Sequence, residues 1–382
     1  MKTGKTLIEL ATEVQRQTAT KVDLVADTRN NLRMVQDDNA PTGTALVTLN
    51  VRPDGEREVT SKYEITDNAH RQIASWLNIP WTYYSRLVKD HRDLVTGQVN
   101  ALFEREPGMR MVRTLDGKAR AFLSNRYKRL DNDTVLAKSL PALIGSDSGL
   151  PDHQILASHI DENDMRLRVV WTDPSLAQDI GPAPHGTGRD IVYPGFEIGN
   201  SETGRGSLFV RGFFYRTYCK NGCVFGVGDN AIEFRRTHIG GKLATAGLDI
   251  LSDATRQKDD EAILSVMTDI MRSMGSRDFV QKMGDTLRSL RDGETMQNPV
   301  KGVQVLGKDL GLRENELDDV LKNLLTDGDL SRWGMLNAIT ALANEDKVTQ
   351  ERAFELEEIG SNIITLPASQ WKRISQAEKV AA

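Results

Sequence analysis

The sequence predicts an α+β fold: an antiparallel β-rich body with an inserted helical hairpin, followed by a helical C-terminal region. Three observations predict it. Up to about residue 247, short runs of alternating apolar and polar residues are parted by turn residues, the period of half-buried strands. One interruption, from Thr66 to Val88, spaces its apolar residues by three and four. Beyond residue 247 that helical spacing takes over. The chain therefore divides into a body over 1–247, carrying basic and aromatic hairpins, and a mainly helical, acidic region over 248–382.

Thr6 to Gln17 has the pattern of a short amphipathic helix, and Thr44 to Val51 and Glu58 to Ile65 alternate as strands around Pro53-Asp54-Gly55. Thr66 is placed to cap a helix on which Ala69, Ile73, Ala74 and Leu77 share a face. Asn78-Ile79-Pro80 breaks it, and Trp81 to Val88 restarts it. The outline resembles a helix-turn-helix, but a second helix opening on Trp81, Tyr83 and Tyr84 suits packing better than a DNA groove. Met109 to Leu115 and Lys118 to Ser124 flank Asp116-Gly117, a hairpin signal. Asn125 to Asp133 is polar and turn-like, and Thr134 to Leu143 is helical.

Ile155 to Ile160 and Met165 to Trp171 read as strands. Asp173 to Gly188 is rich in Pro and Gly without a period, as in a functional or mobile loop. Ile191 to Ile198 resumes as a strand, Asn200 to Gly206 turns, and Ser207 to Gly228 is expected to be one hairpin turning at Asn221-Gly222. Ala231 to His238 forms a further strand. Helices are expected over Asp259 to Met274, Arg277 to Leu290, Glu314 to Leu325 and Ser331 to Asn344. Gly293, Pro299 and a linker from Val303 to Gly311 interrupt them.

Composition narrows the function classes. No apolar run approaches the length of a membrane span, and the first residues lack the pattern of a signal peptide, so a cytoplasmic protein without a membrane partner is expected. The net charge of −5 conceals an asymmetry. Arg110, Arg113, Lys118, Arg120, Arg126 and Lys128 crowd one segment. Arg211, Arg216, Lys220, Arg235 and Arg236 crowd another, while acids outnumber bases after Leu251. Local basic patches let an acidic protein bind a polyanion, although a solvated charged face has the same appearance.

The richest segment is Ser207 to Gly228. Alternation sets Leu208, Val210, Phe214, Arg216 and Tyr218 on one face and Phe209, Arg211, Phe213, Tyr215 and Thr217 on the other. Two readings are open: a core strand pair with snorkelling arginines, or a face that stacks bases and holds phosphates. Cys219 and Cys223 would point to opposite faces of a two-residue hairpin, and no second cysteine pair exists to complete a zinc site. The six histidines show no metal-ligand spacing. His159 to Asp164 (HIDEND) reads as a solvated turn rather than a Mg²⁺ site. Phosphate-loop and nucleophile-elbow motifs are both absent. No catalytic residue, metal or cofactor is expected, and the chain leans away from being an enzyme.

Four landmarks together resemble domain-of-unknown-function family 932, a set of uncharacterised phage- and plasmid-borne proteins. They are AHRQIASWLNIPWTYYSRL (Ala69 to Leu87), VRTLDGKARAFLSNRYKRLDN (Val112 to Asn132), GFEIGNSETGRGSLFV (Gly195 to Val210) and RTYCKNGC (Arg216 to Cys223). Weaker likeness runs through Arg332 to Gly360. Cys223 departs from the family pattern of one cysteine before the Asn-Gly pair. The resemblance implies a mobile-element protein in a bacterial cytoplasm and no particular activity.

The expected function is nucleic-acid binding, most simply as a single-stranded DNA-binding or annealing factor of recombination or replication that assembles as a homo-oligomer. Arg113, Arg120, Arg126, Lys128, Arg211 and Arg216 would hold phosphates, and Tyr127, Phe213 or Tyr215 would stack on bases. The alternatives are a non-enzymatic factor that binds a host protein and, more weakly, a metal-dependent nuclease built on Asp161, Glu162 and Asp164.

Overall fold

The computed structural model describes residues 4–52, 56–144, 151–186, 188–217, 221–225, 233–237 and 253–377. It is an α+β fold with two sheets and a helical C-terminal region. The chain opens with helix α1 (Leu7–Thr20), where Thr6 and Glu9 form the reciprocal capping box that their spacing allows. Strand β1 (Val22–Asp27), the single-turn helix α2 (Thr28–Asn31) and strands β2 (Leu32–Gln36), β3 (Thr44–Val51) and β4 (Arg57–Ile65) follow. Helices α3 (Asp67–Trp76), α4 (Trp81–Asp90) and α5 (Arg92–Arg105) precede the hairpin of β5 (Met109–Leu115) and β6 (Lys118–Ser124).

These strands make the first sheet, in the order β1-β5-β6-β4-β3-β2. Its hairpin turns at Asp116-Gly117, both with positive φ (51° and 78°), as a primed turn requires. One face packs on α3–α5 through Ile73, Tyr84, Val99, Phe103, Val112 and Phe122. The α3–α4 pair is thus a packing hairpin: buried His70 sits between the Tyr84 hydroxyl and the Thr44 side chain, 2.9 Å from each. Strands β1 and β2 and helix α5 were not among the expected elements.

After α6 (Asn132–Ile144) comes the second sheet, from β7 (His153–Ile160), β8 (Asp164–Trp171), β9 (Gln178–Pro182), β10 (Arg189–Ser201), β11 (Leu208–Arg216), β12 (Asn221–Phe225) and β13 (Glu233–Arg236). The main path is β12-β11-β10-β8-β7, with β9 extending the β8 side of β10 and β13 sharing the outer edge of β11. The expected loop over Asp173 to Gly188 is thus largely built: a 3₁₀ turn at Pro174–Leu176, then β9, then a second short turn at Pro184–Gly186.

The β11–β12 hairpin corrects a second expectation. Arg216 pairs with Asn221, Tyr215 with Gly222 and Phe214 with Cys223, so Asn221-Gly222 lies in the strand and four residues, 217–220, make the connection. The expected two-residue turn at Asn221-Gly222 therefore does not hold. Cys219 lies outside the described residues.

The C-terminal helices are α7 (Asp253–Met274), α8 (Arg277–Asp292), α9 (Pro299–Leu310), α10 (Glu314–Asp327), α11 (Arg332–Leu342), α12 (Gln350–Asn362) and α13 (Ala368–Ser375). Helix α9 replaces the expected linker: Pro299 is its first residue and Gly311, with φ 73°, caps its end. The hydrophobic cores do not part at residue 247. Met267 and Met271 of α7 pack with Leu167, Phe196 and Val210, and Val192 and Phe214 join the core of Leu287, Trp333 and Leu356. No helix among the described residues is long and apolar enough to cross a membrane.

Candidate nucleic-acid interface

Alternation along β11 is as the sequence implies, with Leu208 and Val210 facing the core of Phe196 and Met267, Phe214 facing that of Leu287 and Trp333, and Phe209, Arg211, Phe213 and Tyr215 on the other side. What alternation could not supply is the occupant of that other side, which is α12. Arg211 donates to Glu358 of α12 at 2.9 Å and approaches Glu197 at 3.3 Å, and it is buried. Arg168 and Arg166, on β8, complete the ring around Glu197. Burial raises the Glu197 carboxyl, but Arg168, Arg211 and Arg166 outweigh it and hold the group well below the usual carboxylate range. Phe213 is fully buried, with the Arg168 guanidinium 5.2 Å from its ring centre.

Arg216, on the opposite face, donates to both oxygens of buried Asp190 at 2.7 and 2.8 Å, and the Trp333 indole donates to the same carboxylate at 3.0 Å. In the first sheet Arg113 is fully buried. It makes a fork to Asp23 at 2.9 and 3.0 Å and reaches Asp131 at 2.6 Å and the Glu202 carbonyl at 2.8 Å. Burial would depress its pKa, yet Asp131, Asp23 and Glu202 together raise it. Arg120, at the bulge of β6, holds the Glu202 carboxylate at 2.5 Å and the Glu162 carbonyl at 2.9 Å.

Four of the six expected phosphate ligands, Arg113, Arg120, Arg211 and Arg216, are therefore buried against internal carboxylates. Leaving those carboxylates for a phosphate would strand buried negative charge, at a cost of several kcal/mol each. The same holds for stacking on Phe213, which no base can reach without removing its cover.

The other four residues lie at or near the surface. Arg126 is exposed, and Tyr127, Lys128 and Tyr215 are half-buried. Arg126 and Tyr127 sit in the turn that leaves β6, where the Arg126 and Tyr127 backbone amides donate to Ser124. The Tyr127 hydroxyl donates to the Ser201 carbonyl at 3.2 Å, and burial raises its pKa. Across the hairpin from Ser124 stands Arg110.

Arg110 differs from every arginine above. Its guanidinium lies 5.2 Å from the Trp76 ring and 5.0 Å from Phe122, and its one hydrogen bond is to the Phe122 carbonyl at 3.3 Å. Among the described residues its Nε is buried without a partner, and burial pushes its pKa down to about 10 with no carboxylate of those residues to restore it. On the helical hairpin, Arg71 of α3 stacks on Trp81 of α4 at 4.1 Å. The turn that follows Ser124 also carries exposed Arg126 and Arg129, the latter 3.6 Å from Asp23. Sequence reasoning counted Arg110 in a basic run but did not select it. The signal was its place near the open end of the hairpin, where no neighbouring strand residue can neutralise it.

Carboxylates converge elsewhere. Asp131, Asp133 and Glu202 bring oxygens within 4.8 Å of one another, the single such group among the described residues. The Lys21 ammonium lies 2.9 Å from Asp131, 3.5 Å from Glu202 and 3.6 Å from Asp133. Asp161 accepts from the Asn163 and Asp164 amides in the β7–β8 turn. No family model, no curated protein and no solved structure matches this chain.

Proposed function

We propose that the protein binds single-stranded nucleic acid, DNA in the first instance, along a strip from Arg110 and Trp76, past Ser124, which pairs with Arg110, to the turn of Arg126, Tyr127, Lys128 and Arg129. The observation that carries this reading is the unneutralised Arg110, a half-buried cation stacked on tryptophan where every buried arginine of the hairpins has a carboxylate. A phosphate there would gain a charge-assisted hydrogen bond at a cation that has lost part of its hydration. Half-buried Trp76 or Tyr127 would offer a base its accessible edge, a stacking contact worth about 1–3 kcal/mol. The four-landmark resemblance to phage- and plasmid-borne proteins supports a setting in recombination or replication in a bacterial cytoplasm.

The test is fluorescence anisotropy of a labelled oligothymidylate over a salt series. Binding that weakens with salt, with a log–log slope of about −2 for three phosphate contacts, supports the reading. No salt-sensitive binding at micromolar protein and low salt overturns it.

A further inference from the structure

The face of the second sheet that meets α12 carries more positive charge than the sheet itself balances. Arg166 and Arg168 of β8 and Arg211 of β11 surround one carboxylate, Glu197 of β10. Phe209 and Phe213 stand among these guanidinium groups, and exposed Arg235 of β13 lies 5.8 Å from the Phe209 ring centre. The balance comes from one helix. Glu351 of α12 pairs with Arg205, in the turn before β11, Glu357 pairs with Arg168 at 2.5 Å, and Glu358 with Arg211 at 2.9 Å. Phe354 lies among them, its ring centre 4.2 Å from the Arg166 guanidinium and 5.1 Å from that of Arg168. Oxyanions on arginines, with an aromatic ring stacked on guanidinium groups, are what the phosphates and a base of a nucleic-acid strand supply.

The other buried arginines differ in this respect. The countercharges of Arg113, Arg120 and Arg216 (Asp23, Asp131, Glu202 and Asp190) belong to the sheets and the turns beside them. On the α12 face, Glu351, Glu357 and Glu358 would leave together with the helix and regain their hydration. A phosphate could then replace them without stranding buried negative charge, because Glu197 keeps its three arginines. The contact also gives up little apolar burial. Ala353 and Leu356 of α12 pack with Leu336 and Ile339 of α11, away from the sheet face. Phe354 is the apolar side chain that α12 turns to the sheet, across a cavity of about 220 Å³ floored by His159, Arg166 and Phe209.

We propose that this face is a second site for single-stranded nucleic acid and that α12 is its built-in competitor, holding the arginines until a strand displaces it. Phosphates would take the places of Glu351, Glu357 and Glu358, and a base that of Phe354. The site lies on the second sheet and does not depend on the strip near Arg110, so it is tested with that strip removed.

The experiment uses the full chain carrying Arg110→Gln and Arg126→Glu, and compares wild-type α12 with Glu351→Gln, Phe354→Ala and Glu358→Gln combined. Labelled oligothymidylate should bind the second protein at least tenfold more tightly (about 1.4 kcal/mol), and Arg166→Gln should remove the gain. Hydrogen exchange reads the helix: α12 amides should lose protection when the oligonucleotide binds. A milder variant, Glu351→Gln with Glu358→Gln, keeps Phe354 and should show a smaller gain in the same direction, should the triple variant melt early. Unchanged affinity in both variants overturns the proposal, whether or not the first-sheet strip binds. Tighter binding with α12 still protected places the strand elsewhere and overturns it too. An equal gain for labelled oligoglutamate would assign the face to an acidic peptide and sink the nucleic-acid site.

Discussion

Arg168 on β8 donates two hydrogen bonds, at 2.9 and 2.5 Å, to Glu357 on α12, joining residues 189 positions apart in the buried face of the second sheet. Arg168 also reaches Glu197, which Arg166 and Arg211 share. Burial costs each of these ions its hydration, and the network returns it only when complete. The pair is therefore a register device, setting α12 on the sheet more than it adds net stability.

Removing one partner and removing both should then differ in kind. Glu357→Leu alone leaves a buried guanidinium short of a carboxylate and should cost about 3–5 kcal/mol. Arg168→Met with Glu357→Leu removes both ions, and Glu197 keeps Arg166 and Arg211. The double variant should recover most of the loss in urea denaturation. A double variant as unstable as the sum of the singles would mean zero coupling between the two residues and would rule the pair out as a register device.

Acid should loosen the first sheet before the carboxylate networks. Burial depresses the His70 pKa to about 4, from about 6.5 unfolded. Below pH 6.5 the unfolded chain takes up a proton that the folded imidazole refuses, so stability is full above 6.5 and falls as pH drops towards 4. The loss over that window is roughly 3 kcal/mol. Glu197 and Asp131 are lowered carboxylates whose contributions fade only below about pH 4.5. Urea midpoints from pH 4.5 to 7 should rise steeply in the wild type and much less in His70→Gln. Parallel curves would rule out His70 as the titrating group.

The arginines of the two hairpins should separate by phenotype. Arg126→Glu and Arg110→Gln should weaken oligothymidylate binding with little change in melting temperature, and Arg110→Gln should reduce the salt slope by about 0.7. Arg113→Gln should do the reverse, lowering the melting temperature by stranding Asp23 and Asp131. If Arg113→Gln folds normally and Arg110→Gln leaves binding untouched, the strip is not the interface.

These contrasts mark where the sequence was legible. The β5–β6 hairpin could be read to the residue because Asp116-Gly117 takes the φ values that the signal implies. Asn221-Gly222 misled because the same dipeptide can lie flat in a strand when a longer connection precedes it. Pro299 looked like a breaker and Val303 to Gly311 like a linker, whereas Pro299 begins α9 and Gly311 ends it, and Gly307 between them makes room for Leu317. The burial of Arg113 and Arg168 could not be read locally, because their partners Glu202 and Glu357 lie 89 and 189 positions away. A basic run shows its charge in the sequence, and its countercharge only in the fold.

The free edge of the first sheet offers a last test. Strand β2 ends the sheet, and the Asn100 side chain of α5 closes it: its Oδ1 accepts from the Met34 amide and its Nδ2 donates to the Met34 carbonyl, both at 2.8 Å. One carboxamide thus occupies the place of a neighbouring strand, blunting an edge that could otherwise pair with another chain. Asn100→Leu has similar bulk but cannot make either bond, and should cost about 1–3 kcal/mol. The exposed amide and carbonyl should also raise concentration-dependent self-association, visible as a shift in sedimentation velocity between micromolar and tenfold higher protein. Loss of stability without association would mean that the Asn100 amide only satisfies Met34; association at unchanged stability would mean that it chiefly guards the edge.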